Sequence, residues 1–232
     1  MYPNNLKQRL QSGEIILGTG MSAPTAHVVG AILDTGPDFM WIDTEHAHFG
    51  AEALDVIPVL CRMRGCAPMI RVAWNDPGLI KKAYDVGAVA VMVPQVDTAA
   101  EAARAVEYAH YYPEGKRGIL PMWTRVAGAD WNEVIKTANE ETVLIVQLES
   151  QQAYDNLDEI KQVPGIDVIL VGPLDLSAAV GTITDTGSRQ VQAIMEDVPK
   201  RLEGTGIITG TTLNDPAEIQ EKIRWGYRFL NV

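Results

Sequence analysis

Cysteine is nearly absent: the 232 residues carry two, Cys61 and Cys66. Their spacing matches no zinc or redox motif, so the pair reads as reduced thiols in a cytosol, and neither a disulfide framework nor a zinc site is expected. Cations are scarce as well, with 19 Lys and Arg against 30 Asp and Glu and a formal charge of −11. A phosphate backbone demands clustered basic residues, which excludes nucleic acid as an expected partner. Apolar runs such as AVAVMVP and VLIVQL fall far short of the roughly 20 residues that cross a bilayer. The opening MYPNNLKQRLQSGE is polar and lacks the apolar stretch of a secretory signal, so a cytoplasmic protein with no membrane partner is expected. There is no GxSxG, P-loop or GxGxxG, no internal repeat and no Ser/Gly/Pro-rich linker.

What is present is a rhythm. Short Val-, Ile- and Leu-rich runs alternate with longer amphipathic segments, the pattern of βα units on a parallel sheet. Strands are expected over residues 15–21, 39–45, 67–74, 88–96, 142–149, 166–173, 207–213 and 227–232. Helical segments lie between them, several closing on Gly, and Asp76-Pro77 and Asp215-Pro216 each offer an N-cap followed by Pro at the first helical position. Eight such strands without a compositional break favour one (β/α)8 TIM barrel spanning residues 1–232 over a doubly wound sheet with a second domain. The sequence stops at Val232 straight after the eighth run, so the helix that completes a standard barrel is expected to be missing. A leading helix, Asn4 to Gln11, is placed to plug the N-terminal face.

In such a barrel catalytic groups sit at the C-terminal ends of the strands. Asp43, Glu45 and His46 end strand two in WIDTEHAHFG, Arg71 lies in the outer half of strand three, Glu149 ends strand five, and Asp175 follows strand six. Each has a structural reading alone, as a cap or an ion-pair partner. Together they are harder to dismiss, because Arg71 in MIRVAW and Glu149 after VLIVQL are charges on apolar strands, where burial without a partner costs several kcal/mol. Glu149 and Asp175 on neighbouring strands can supply a hard oxygen site for a divalent cation such as Mg²⁺ or Mn²⁺, with Co²⁺ a further candidate and no organic cofactor implied. His46, directly after a strand, suits general-base work near neutrality, with Asp43 and Glu45 to orient it. No lysine falls at a strand end facing the mouth, so a Schiff-base mechanism lacks its nucleophile.

The ordered set FMWIDTEHA, PMIRVAWNDPGLIKKAYDVGA, VMVPQVDTAAEAARAV, YYPEGKRG, VLIVQLES and IDVILVGPLDLSAAVG resembles the HpcH/HpaI family of metal-dependent (class II) pyruvate aldolases, from about residue 5 to 232. The resemblance implies reversible retro-aldol cleavage of a 4-hydroxy-2-oxo acid to pyruvate, or a related 2-oxo acid, and an aldehyde through a metal-bound enolate. It implies that Glu149 and Asp175 bind the metal, that Arg71 neutralises the enolate oxygen, and that His46 shuttles the proton. Asp85 matches a family aspartate that pairs with that histidine; lying late in a helix, away from its own mouth, it is expected to arrive from a neighbouring subunit of a homo-oligomer. Backbone amides from Gly172 through Pro173 and Leu174 to Asp175 suit the substrate carboxylate, with Pro173 removing one donor. Thr212 replaces an apolar residue of relatives, and Trp123 and Arg125 are candidate acceptor-side residues. The rival readings are a CoA-ester lyase of the pyruvate/phosphoenolpyruvate superfamily, for which Lys116 and Arg117 would be the phosphate contacts, and a non-catalytic barrel that binds a 2-oxo acid.

Overall fold

A computed structural model describes residues 2–21, 23–49, 51–213 and 215–232. Eight parallel strands close into a barrel in sequence order: β1 (Ile16–Gly20), β2 (Phe39–Asp43), β3 (Ala67–Arg71), β4 (Ala90–Val93), β5 (Val143–Leu148), β6 (Val168–Val171), β7 (Ile208–Thr212) and β8 (Phe229–Asn231). The near-continuous burial of β2 to β6 is what a sheet covered on one side by helices and filled on the other by its own side chains requires.

Among the described residues twelve α-helices cover it: α1 (Leu6–Gln11), α2 (Ala26–Leu33), α3 (Ala51–Met63), α4 (Pro77–Asp85), α5 (Ala99–Ala109), α6 (Trp123–Ala127), α7 (Trp131–Glu141), α8 (Gln151–Asp155), α9 (Leu157–Ile160), α10 (Pro173–Ala179), α11 (Arg189–Leu202) and α12 (Ile219–Trp225). Asp76 and Asp215 both cap as expected, accepting from the amides of Gly78 and Ala217. Gly50, where the sequence reading starts the helix before β3, lies outside the described residues. Among the described residues no element follows β8, and no helix is long and apolar enough to cross a membrane.

The barrel interior is layered. Side chains at alternate positions face inward, and Phe39 stacks on Phe229 with ring centroids 4.1 Å apart. Gly18 of β1 makes room for that layer: a Cβ there would sit 2.5 Å from the Phe39 ring. Helix α1 closes the N-terminal face as expected, since Leu6 and Leu10, one helical turn apart, join the cluster that contains Ile16, Phe39 and Phe229. Lys7 on the same helix pins it there, donating to the carbonyls of Asn139 and Thr142 and pairing with Asp167 at 3.0 Å. Outside the barrel, the buried Arg62 binds Glu141 through both terminal nitrogens, at 2.8 and 3.2 Å.

Cys61 and Cys66 are both free and buried. They occupy the two ends of the turn that terminates α3, where the Cys66 amide bonds the Cys61 carbonyl around Gly65 at φ +77°.

His110 is only 3 % exposed, with Nδ1 3.0 Å from the Val106 carbonyl. Burial lowers its pKa, and nearby Lys7 adds to this. Because the unfolded chain then binds this proton more readily than the folded one, stability is present above the ordinary histidine range and falls as pH drops through it. A single proton of this kind limits the slope to about 1.4 kcal/mol per pH unit. Urea unfolding of His110→Gln between pH 7 and pH 5 is expected to show a shallower acid loss than the parent chain; parallel curves would show that the acid sensitivity lies elsewhere.

Candidate active site

The C-terminal ends of the strands open into one pocket of about 880 Å³, ample for a small organic acid and an extension of several atoms. Its charged wall is built by β2 and β3, whose register pairs Asp43 with Arg71. Arg71 grips Asp43 with two nitrogens, Nε to Oδ1 at 3.0 Å and Nη2 to Oδ2 at 2.6 Å, and reaches Glu45 Oε2 with Nη1 at 3.0 Å. The guanidinium also lies 4.9 Å from the Trp41 ring. Asp43 Oδ1 further accepts the amides of Glu45 and His46, at 3.0 and 3.4 Å, which turns the chain out of the strand. Burial pushes the Asp43 carboxyl up, and the Arg71 bonds with these two amides more than offset it, leaving the group below its ordinary range. Glu45 goes the other way: burial, joined by Asp43 and Asp175, outweighs Arg71 and holds it above the ordinary range. His46 stands over this pair with its side chain 68 % exposed and Nε2 3.6 Å from Glu45 Oε2. His48 is exposed further along the loop.

Across the barrel, Glu149 follows β5 and is 6 % exposed. Its Oε1 accepts the Gln95 amide at 2.8 Å and its Oε2 accepts from the Gln147 side chain. Burial, with repulsion from Asp175 and Glu45, pushes the Glu149 carboxyl up to about 7. A carboxyl so placed favours whatever brings positive charge. Asp175 stands in the first turn of α10 and lines the same pocket. Among the described residues no cluster of three or more His, Cys, Asp or Glu side chains is arranged for a metal ion. The donor set is instead two carboxylates and the buried, unpartnered Gln147 Oε1, all hard oxygens. That fits an oxygen-seeking divalent cation that completes its coordination with water and substrate, and it does not suit zinc.

Gly172, Pro173, Leu174 and Thr212 also line the pocket. The expected row of amides is shorter than the sequence suggests. The Gly172 N–H is consumed by the Leu148 carbonyl at 2.9 Å, because the sheet ladder extends one residue past β6. With Pro173 lacking a donor, Leu174 and Asp175 carry the amides that the first helical turn leaves free. Gly172 is required for packing, since a Cβ would meet Gln147 Nε2 at 2.9 Å and Glu149 Oε2 at 3.1 Å.

Asp85 is not brought into the pocket. It ends α4, and a helix that runs back along the barrel delivers its last residue to the opposite face. There its Oδ1 is buried without a partner, and burial, tempered by Arg117 and Lys81, raises its carboxyl to about 6. Trp123 is not brought into the pocket: it is buried in a satellite cluster with Val59 and Val134, under Arg62 at 4.0 Å, and Arg125 is exposed on the same helix, away from the pocket lining. The sequence reading also passed over Trp41, Gln147 and Asn231, all pocket-lining. A signal was available for two of them, since Trp41 and Gln147 stand two residues before Asp43 and Glu149 and so share their face of the strand.

Residues 21–232 match the family model for HpcH/HpaI aldolase/citrate lyase. The chain is 34% identical over 235 aligned residues to the 2-keto-3-deoxy-L-rhamnonate aldolase of Escherichia coli strain K12, covering 100% of this chain and 87% of that protein. Among solved structures, it is similar to an HpcH/HpaI aldolase/citrate lyase family protein from Burkholderia cenocepacia J2315, with TM-score 0.90, 31% identity and coverage of 99% of this chain and 92% of that one. An HpcH/HpaI aldolase from Desulfitobacterium hafniense DCB-2 matches with TM-score 0.90, 26% identity and coverage of 97% and 88%.

Proposed function

The chain belongs to the HpcH/HpaI aldolase/citrate lyase family, and from that premise we propose that it is a metal-dependent class II aldolase, cleaving a 4-hydroxy-2-oxo acid reversibly to pyruvate and an aldehyde. The observation that carries this reading is one pocket lined by Asp175, the buried Arg71 and His46, with the buried carboxylate of Glu149 directly behind it, bonded to the pocket-lining Gln147. Glu149 and Asp175 would hold a divalent cation, Mg²⁺ or Mn²⁺, which would supply Lewis-acid polarisation of the substrate's keto group.

The chain's own residues do the rest. Arg71 presents N–H groups already fixed by Asp43 and Glu45, so charge developing on the enolate oxygen meets donors that need no reorganisation. The Leu174 and Asp175 amides hold the substrate carboxylate. His46 takes the proton of the 4-hydroxyl as the carbon–carbon bond breaks and returns one in the reverse direction.

Asp85 completes the proton path from a second copy of the chain. Supporting that placement, the Leu120 amide bonds Asp85, and Leu120 sits in an exposed apolar stretch with Ile119 and Met122, each more than 40 % exposed. A surface of this kind asks for a partner, and a homo-oligomer supplies one. Of the phosphate contacts the CoA-ester rival would use, Lys116 is exposed and paired with Glu107, and Arg117 is buried against Tyr84 and Tyr111.

The test is exchange of pyruvate's methyl protons into D₂O, followed by NMR with the metal-stripped protein before and after adding Mg²⁺ or Mn²⁺. Exchange only in the presence of metal is expected. A barrel that binds 2-oxo acids without enolising them would show none, and no exchange under any divalent cation would sink the aldolase reading.

A further inference from the structure

The pocket is far larger than pyruvate, and its second half is undescribed by the roles above. In a closed barrel of eight strands β1 faces β5, so the wall opposite Glu149 is formed by β1 and its neighbours β2 and β8. Three observations converge on that wall.

Gly20 of β1 lines the pocket, and a Cβ built on it would meet nothing within 4 Å. Its φ lies outside the left-handed range. Neither backbone nor packing therefore calls for glycine, although glycine in a strand costs roughly 0.5–1 kcal/mol relative to alanine. What the residue preserves is empty space.

Trp41 of β2 is the residue in register with Gly20. It is 7 % exposed, lines the pocket, and its indole Nε1–H is buried without a hydrogen-bond partner. Asn231 of β8 lines the same pocket; its Nδ2 approaches Thr212 Oγ1 at 3.4 Å, and its Oδ1 is likewise buried and unpartnered. Buried polar groups are paired in the great majority of cases, and leaving one unpaired costs about 1–3 kcal/mol. An orphan donor and an orphan acceptor on residues that line one pocket match the two needs of a hydroxyl group, whose oxygen accepts from an indole while its hydrogen goes to an amide oxygen.

We propose that Trp41 and Asn231, with the space kept open by Gly20, form a hydroxyl-recognising subsite that selects hydroxyaldehyde acceptors over aldehydes of the same size without the hydroxyl. The proposal rests on the aldolase reading and deepens it. Its physical basis is that a site built to hydrogen-bond a hydroxyl rejects the analogue lacking it, because the site's own polar groups then stay unpaired, whereas a purely apolar pocket discriminates isosteres poorly.

Glycolaldehyde and propionaldehyde have equal numbers of heavy atoms and differ by hydroxyl for methyl, so kcat/KM for addition of pyruvate to each, taken as a ratio, cancels general losses of activity. Trp41→Phe keeps a ring against Arg71 and removes the N–H donor together with one of the two fused rings, a loss of volume that both aldehydes of equal size feel alike. It is expected to lower the glycolaldehyde-to-propionaldehyde ratio about tenfold relative to the parent chain. A ratio within twofold of the parent's would overturn the assignment. Should Trp41→Phe not fold, Gly20→Leu puts a side chain into the same space without a change of backbone, and the same fall in ratio is expected; an unchanged ratio again overturns the subsite. Methyl-proton exchange by the parent chain separates the two levels: no exchange removes the aldolase reading itself, while exchange with an unchanged ratio removes only the subsite.

Discussion

Glu149→Gln is expected to reduce metal-dependent exchange of pyruvate's methyl protons by about 10³-fold, a loss of the size that follows removal of a group acting directly on transition-state charge. The substitution keeps shape and volume, and the Gln95 amide can still donate to the new side chain, so the fold should survive and the loss can be read as chemistry. The parent chain should also carry a pH signature that the variant lacks. Without a cation the Glu149 carboxyl sits at about 7, raised by burial and by Asp175 and Glu45. Proton and cation compete for it, so Mg²⁺ affinity should fall up to about tenfold per pH unit below 7 and level off above it. The stability sign follows from the same shift. A carboxyl raised above its unfolded value contributes stability that is fully present below the ordinary carboxylate range and is lost as pH rises through about 7. The metal-free protein should therefore melt lower at pH 8 than at pH 6 on this account, and added Mg²⁺ should raise the melting temperature more at pH 8. Equal Mg²⁺ shifts at the two pH values, or a Glu149→Gln variant that still binds Mg²⁺ as the parent does, would remove Glu149 from the metal site.

Arg71→Met carries the second large effect. It leaves Asp43 and Glu45, with side chains 21 % and 10 % exposed, facing each other across the position where one guanidinium served both. Removing one partner from such a cluster costs about 3 kcal/mol of stability, and the loss of preorganised donors costs about 10²–10³ in kcat. Arg71→Lys separates the two. An ammonium restores charge and much of the stability, but it cannot reproduce the two parallel bonds to Asp43 together with the ion pair to Glu45. Chemical denaturation and turnover measured on both variants should show stability recovering in the lysine variant while kcat stays low. Full recovery of kcat by lysine would mean that Arg71 acts only as a structural counter-charge.

Much of this was legible in sequence because parallel strands are apolar on both faces, so a charge on one is conspicuous. Arg71 in APMIR and Glu149 after VLIVQL stood out for that reason, and all eight strands were placed to within a few residues. Helix α6 was missed, since five residues closing on a left-handed Gly128 at φ +67° carry too little periodicity to be seen. The polar partners of the site were the harder part. Trp41 and Asn231 look like ordinary strand residues, and that their polar atoms lack partners is visible only once neighbouring strands are in register. The consumed Gly172 amide was invisible for a similar cause: whether a ladder runs one residue further depends on the adjoining strand, here Leu148 of β5. Trp123 misled because an aromatic beside a poorly matching stretch suggests specificity, whereas it fills a gap between α3 and α7.

Two glycines separated by a single residue on one face of β1 divide the barrel into a part that is fixed and a part that is free. At Gly18 any side chain runs into the Phe39 ring, while at Gly20 it enters open space. Inheritance can thus explore new acceptors at one position without disturbing the aromatic stack two residues below, and a lineage that needs a different aldehyde has a route to it that does not pass through misfolding.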